Sequence, residues 1–216
     1  MSDYDPTQDY WDNLMCTDEG AASYMETYGE GIDTETRRII GSFINDGEYV
    51  LDVGCGPAWN YDHFAEYGPK VIYTGCDLSP RFVRVANKRI KEKYGNEPIC
   101  IQDCRDLGYP DDSFDVVILQ DVLEHTNGYE KPVYEALRVS RKRIIICFWR
   151  TMENVVTKTN DDTDKGTNGY GSDYNLDEWL DFLNSLDYPY LTTETSPQAN
   201  RQHWYYIINK ENENGA

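Results

Sequence analysis

The sequence predicts an α/β protein: an open, doubly wound, mostly parallel sheet of seven strands, an antiparallel pairing at its C-terminal end, and helices on both faces. Three observations carry that expectation. From position 49 the chain alternates short apolar runs with helix-patterned stretches, the rhythm of βαβ units. The apolar runs, among them "FDVVILQ" and "KRIIICFW", are unbroken, as in strands covered on both faces. The first run, "YVLDVGCGPAWN" at 49–60, ends in a glycine turn, the place where doubly wound sheets bind ligands.

Each element has its own signal. Segment 1–33 is rich in Tyr, Asp and Glu, and "TQDYWDNLMCTDEGAASYMETYG" reads as one or two irregular helices. "DTETRRIIGSFINDG" reads as a helix with Thr34 as N-cap, Ile39, Ile40, Phe43 and Ile44 on one face, and Gly47 as its end. "YVLDVG" is the first strand, "AWNYDHFAEYG" a short helix closed by Gly68-Pro69, and "KVIYTGCD" the second strand. "SPRFVRVANKRIKEKYG" is a helix capped by Ser79, with Pro80 in its first turn and Gly95 at its end. "PICIQDC" and "FDVVILQ" are the third and fourth strands, "EKPVYEALRVS" is a helix with Pro132 near its start, and "KRIIICFW" is the fifth strand. The polar, Gly/Asn/Asp-rich stretch 151–174 reads as a loop insertion. "NLDEWLDFLNSL" is an amphipathic helix with Leu176, Trp179, Leu180 and Leu183 on one face, and "YLTTETS" and "HWYYIINK" form a final antiparallel pair. The expected organisation is one domain over 1–216: an N-terminal lid or substrate segment (1–33), a core (34–150), the loop insertion (151–174), and a C-terminal helix and strand pair (175–216).

Bulk properties narrow the function classes. A chain of 216 residues builds one substantial core. The net charge of −19 repels nucleic-acid backbones and anionic membranes, so a nucleic-acid acceptor is disfavoured. No apolar stretch approaches the roughly 20 residues that span a bilayer. "MSDYDPTQDYWDN" lacks the basic start and apolar core of a signal peptide, which points to a cytoplasmic protein. The six cysteines (Cys16, Cys55, Cys76, Cys100, Cys104, Cys147) form no CxxC pair and suit buried, reduced thiols. His63, His125 and His203 are scattered without metal-ligand spacing, so no metal is expected.

The strand ends carry the chemistry. Gly54 and Gly56 free the backbone for a tight turn and a close ligand approach, with Asp52 beside them. The second strand ends in Asp77, placed to accept hydrogen bonds from two ribose hydroxyls. The third ends in Asp103, where a carboxylate meets an adenine amino group. Three successive strands delivering an acid to one rim describe a nucleoside-bearing ligand. A pyrophosphate suits it less. The third glycine of dinucleotide sites is replaced by Ala58, bulky Trp59 follows, and Asp52 would repel phosphate. An amino or sulfonium cation fits that carboxylate better.

These motifs resemble those of the class I S-adenosylmethionine-dependent methyltransferases: "VLDVGCGPA", then "GCDLSPRFVRVAN", then "CIQDCRDLGYPDDSFDVVILQDVLEHT". The resemblance implies a Rossmann-like fold, S-adenosyl-L-methionine as cofactor and S-adenosylhomocysteine as product. By position it implies that Asp52, Gly54, Cys55 and Gly56 line the methionine and ribose part. It assigns the ribose hydroxyls to Asp77, with Leu78 packing on the adenine. Asp103, with Cys104 and Arg105, would meet the adenine amino group, and Gln120, Asp121 and Val122 would flank the methionine end. The chain departs from the family at Ala58 and at "RVSRKRIII", which lacks the usual Pro-Gly-Gly turn.

Methyl transfer is an in-line displacement from an already activated donor, so alignment and water exclusion are the main tasks. His125 is the candidate base for an acceptor that keeps its proton; otherwise it anchors the following helix and loop. Tyr10, Trp11, Tyr24 and Tyr28 are candidates for a lid and acceptor site, unless they simply pack on the sheet. The expected function is methyl transfer to an oxygen or nitrogen of a small molecule. The alternatives are a non-catalytic S-adenosylmethionine-binding or regulatory protein and an NAD-dependent oxidoreductase, the latter opposed by the missing third glycine.

Overall fold

The computed structural model describes residues 34–148, 158–161, 170–196 and 203–210. Their elements run α1 (Glu35–Ser42), β1 (Tyr49–Val53), α2 (Trp59–Glu66), β2 (Ile72–Asp77), α3 (Pro80–Tyr94), β3 (Ile99–Ile101), β4 (Phe114–Gln120), a 3-10 turn (Leu123–His125), α4 (Glu130–Val139) and β5 (Ser140–Phe148). There follow β6 (Lys158–Asp161), β7 (Tyr170–Asp173), α5 (Leu176–Ser185), β8 (Tyr190–Glu194) and β9 (Trp204–Asn209). Seven strands form one sheet in the order β3-β2-β1-β4-β5-β9-β8. The five strands β1 to β5 are mutually parallel, and β9 runs antiparallel to both β5 and β8. The chain builds outward from β1 to β3, then returns to place β4 on the other side of β1. The crevice beyond the carboxyl ends of β1 and β4 is therefore the topological switch point.

Unbroken apolar strands need cover on both faces, and they have it. Leu51, Val53, Val117, Leu119, Ile144 and Ile146 pack with Val133, Ala136, Trp179 and Leu183 of α4 and α5. The alternate residues Val50, Val116, Ile118 and Ile145 point the other way, onto Ile40, Ile44 and Phe64. Trp179 is fully buried, edge-on to Tyr129, Phe148 and Tyr206. Each such side chain contributes about 1.5–3 kcal/mol of burial. Among the described residues no helix is long and apolar enough to cross a membrane.

The helix boundaries follow cap chemistry. The Thr34 hydroxyl caps α1, Ser79 caps α3 with Pro80 at its first turn, and Gly95 closes α3 at φ 83°. Three elements differ from expectation. α1 stops at Ser42, before Gly47, because Asn45, Asp46 and Glu48 spend their side chains on a turn: Glu48 accepts from the Asn45 amide and Asp46 from the Lys70 amide. The third strand is short, and Asp103 lies beyond it in an isolated bridge with Asp106. The expected loop insertion contains an antiparallel hairpin, β6 with β7, although its residues are polar. Ser172 and Tyr174 fasten the exit of that hairpin to the Leu123–Thr126 carbonyls. The helices expected within 1–33 lie outside the described residues.

Candidate functional site

The turn after β1 is shaped by three left-handed residues, Gly54 (φ 65°), Gly56 (φ 50°) and Ala58 (φ 60°). Ala58 thus keeps the backbone that the missing glycine would supply, at a cost of about 1–2 kcal/mol for a residue with a Cβ. Its amide donates to the Cys55 carbonyl, and the Cys55 amide donates to the Cys76 carbonyl, which ties the turn to β2. Arg89 of α3 clamps the far side, donating to the Pro57 carbonyl and pairing with buried Asp62. A Cβ on Gly54 would lie 2.5 Å from Val122 Cγ2, so the β1 turn presses directly on the segment after β4.

Asp77 is the organising acid of this rim. Its Oδ2 accepts from the Gly56 amide at 2.8 Å and its Oδ1 from the Ser79 amide at 2.9 Å. One carboxylate thereby fixes the glycine turn and the N-terminus of α3 together. Burial pushes its pKa up to about 6 against the pull of those two amides. Asp52 is only 1% exposed and sits beneath the turn. Its Oδ2 accepts from the Tyr73 hydroxyl (2.6 Å) and Asn60 Nδ2 (3.1 Å), and Asn60 also donates to Gln120 Oε1 (3.1 Å). Asp52 Oδ1 is buried with no hydrogen-bond partner. Burial raises this carboxyl to about 6 as well, opposed by Tyr73 and Asn60. Tyr73 and Asn60 were not singled out from sequence; both lie in elements read only for packing.

The other expected residues are placed as follows. Leu78, Cys55 and Cys104 are half-buried. Burial pushes the Cys55 thiol well up and the Cys104 thiol to about 12. Asp103 is held by Arg105, whose Nη2 lies 2.7 Å from Oδ2 and whose amide lies 2.8 Å from Oδ1. Burial pushes the Asp103 carboxyl up, but the Arg105 contacts outweigh it and hold it below the usual range. Gln120 ends β4, Asp121 follows in a left-handed conformation (φ 54°), and Val122 is buried. His125 closes the 3-10 turn, half-buried, its amide on the Val122 carbonyl. Tyr10, Trp11, Tyr24 and Tyr28 lie outside the described residues. Asp77 holds the glycine turn directly, and Asn60 links Asp52 to Gln120; Asp103 and Arg105 follow the neighbouring strand end.

Comparison with known proteins bears on this arrangement. Residues 51–148 match the family model described as a methyltransferase domain. Phosphoethanolamine N-methyltransferase 1 of Arabidopsis thaliana is 29% identical over 124 residues, covering 55% of this chain and 25% of that protein. Demethylmenaquinone methyltransferase of Listeria welshimeri is 33% identical over 98 residues, covering 44% of this chain and 42% of its own. The chain therefore spans less than half the length of these curated relatives. Among solved structures, magnesium protoporphyrin IX methyltransferase from Synechocystis PCC 6803, with bound S-adenosylmethionine, superposes with a TM-score of 0.67 at 19% identity, covering 96% of this chain and 99% of that one. That likeness speaks for the fold. Residues 51–148 match a methyltransferase domain, and the resemblance of this chain to the class I, S-adenosylmethionine-dependent methyltransferases is borne out by domain match and fold together.

Proposed function

We propose that the protein is a cytoplasmic S-adenosylmethionine-dependent methyltransferase that moves a methyl group to an oxygen or nitrogen of a small-molecule acceptor. The observation that carries the reading is the pair of acids at the switch point, Asp52 buried and Asp77 half-buried. Asp77 holds the glycine turn through Oδ2 and the start of α3 through Oδ1, and each oxygen retains acceptor capacity for a ribose hydroxyl. Asp52 keeps a buried acceptor, Oδ1, with no partner beneath the same turn. Two carboxylates on one rim favour a cationic ligand and disfavour a pyrophosphate. The donor set therefore fits a nucleoside sulfonium.

In this reading Leu78 packs on the adenine, and Asp103, Cys104 and Arg105 form its polar edge. The backbone of Gly54, Cys55 and Gly56, with Gln120, Asp121 and Val122, lines the amino-acid end. S-adenosylmethionine, when bound, supplies a methyl group already activated on a sulfonium and leaves as S-adenosylhomocysteine. The chain's residues align the acceptor and exclude water. His125 takes the acceptor's proton where the acceptor is a hydroxyl or a protonated amine.

Calorimetry with S-adenosylmethionine, S-adenosylhomocysteine and NAD tests the cofactor; preference for NAD overturns the reading. A radiolabelled methyl-transfer screen then tests the acceptor. Its panel includes amine, quinone and porphyrin compounds, after the names of the similar proteins. Binding without transfer across that panel favours a non-catalytic cofactor-binding protein.

A further inference from the structure

Three donor atoms of different kinds converge at the ends of three neighbouring strands. Asp121 follows β4, Cys147 is the penultimate residue of β5, and His203 immediately precedes β9. One carboxylate oxygen, the thiol sulfur and one ring nitrogen all lie within 4.8 Å of one another. Asp121 Oδ2 is 3.6 Å from His203 Nε2, and Asp121 Oδ1 is 3.9 Å from Cys147 Sγ. Tetrahedral zinc, with bonds of about 2.0–2.3 Å, holds its ligand atoms roughly 3.3–3.6 Å apart. The two contacts use different oxygens of Asp121, so side-chain rotation of Asp121 and closure of the triangle from its 4.8 Å limit would be needed to reach that spacing.

The surroundings prepare each ligand. The Asp121 amide donates to the Cys147 carbonyl at 3.0 Å, which locks two of the three residues together. Cys147 pairs with Tyr205 in the β5–β9 register, so His203 is carried by a strand already fixed to β5. His203 Nδ1 lies 3.4 Å from Thr36 Oγ1. A proton on Nδ1 donated to that hydroxyl leaves the Nε2 lone pair facing the cluster, the usual outer-shell arrangement of a metal-binding imidazole. The His203 amide is held by Thr195 Oγ1 at 2.9 Å. Gln120 Nε2 also lies 3.3 Å from Asp121 Oδ2.

Burial and charge point the same way. His203 and Cys147 are buried, whereas the Asp121 side chain is 29% exposed, so the cluster opens on the rim. One carboxylate, one thiolate and one neutral imidazole balance a divalent cation. A mixed S, N, O set suits zinc and its neighbours rather than calcium or magnesium, which take oxygen.

We propose that Asp121, Cys147 and His203 bind one zinc-type divalent cation, with a fourth position open toward the rim. The Cys147 proton goes to solvent as the metal binds. The open position lies beside the Gln120–Val122 segment. Its use, to hold and acidify an acceptor heteroatom, rests on the function proposed above; the metal binding itself does not.

The test is a Co2+ titration of the full chain after chelator treatment, without cofactor or acceptor. The expected result is about one Co2+ per chain, with tetrahedral d–d bands and a thiolate charge-transfer band, displaced by Zn2+. Cys147→Ser should abolish the charge-transfer band, and His203→Ala should weaken binding by more than tenfold. Thr36→Val, which removes only the hydroxyl behind His203, should weaken it about 10–100-fold. The proposal is overturned if wild-type protein gives no tetrahedral spectrum, or if Cys147→Ser leaves that spectrum unchanged, since the signal would then come from another cysteine. A cobalt site in a protein that binds no S-adenosylmethionine would retain this proposal and remove the other.

Discussion

Gly54→Ala probes the contact on which the whole rim depends. The new Cβ would lie 2.5 Å from Val122 Cγ2 and 3.3 Å from Cγ1, at a backbone φ of 65°. The left-handed backbone alone costs about 1–2 kcal/mol. Forcing a methyl into a packed contact adds about 1–3 kcal/mol. The single substitution should therefore destabilise by about 2–5 kcal/mol. Val122→Ala removes the obstructing methyls and loses about 1.6 kcal/mol of burial, at about 0.8 kcal/mol per carbon. In the double variant the backbone cost remains but the clash is gone, so the two effects should fall short of additivity by about 1–3 kcal/mol. Urea unfolding of the four proteins at unchanged m-value measures the cycle. A Gly54→Ala cost below about 0.5 kcal/mol, or additivity within about 0.5 kcal/mol, refutes the contact between the β1 turn and the segment after β4.

Four further outcomes are expected. Asp52 has its carboxyl raised from 3.8 to about 6, so the folded protein holds a proton that the unfolded chain releases between those values. Its contribution falls as pH rises from about 4 to about 6, by up to about 3 kcal/mol; the wild-type minus Asp52→Asn stability difference, measured by urea unfolding at pH 4.5 and pH 7, should show that trend, and a flat difference contradicts it. Asp77→Asn should weaken S-adenosylmethionine binding about 10–100-fold by calorimetry, from the loss of one to two charge-assisted hydrogen bonds; binding within twofold removes Asp77 from the ribose. Ala58→Gly should change stability by less than about 1 kcal/mol, because relief of the left-handed backbone is offset by lost burial and a freer unfolded chain; a thermal scan showing a large loss would mean the methyl matters more than the turn. His125→Ala should lower turnover with cofactor affinity unchanged; near-normal turnover rules out the base role.

The elements with strong local signals were legible in the sequence. Val116 to Leu119 read as a strand covered on both faces because both faces are covered, and Thr34, Ser79 and Gly95 cap helices through chemistry confined to a few residues. Asp77 was legible because a strand end followed by a Ser-Pro cap puts it on the rim. What escaped depends on partners distant in sequence. The hairpin of β6 and β7 is a backbone pairing between polar segments without alternation. Tyr73 and Asn60 look like packing residues until β2 and α2 bring them to Asp52. Cys147 and His203 show no ligand spacing because β9 delivers one to the other by antiparallel register. Asp52 was the most informative residue of its motif, yet its place is under the turn, where it acts through Asn60 on Gln120.

The position of β9 has a consequence for how the chain assembles. The strand latest in sequence among those described is not an edge; it lies between β5 and β8 and pairs with both. During synthesis β8 therefore has no neighbour, and β5 offers an open edge, until residues 204–209 emerge. Five parallel strands can form beforehand, but the sheet closes last and by contacts distant in sequence, a slow step. A chain stopped before Trp204 would present the unpaired edge of β5, with its apolar Ile144–Ile146 run, as a template for aggregation.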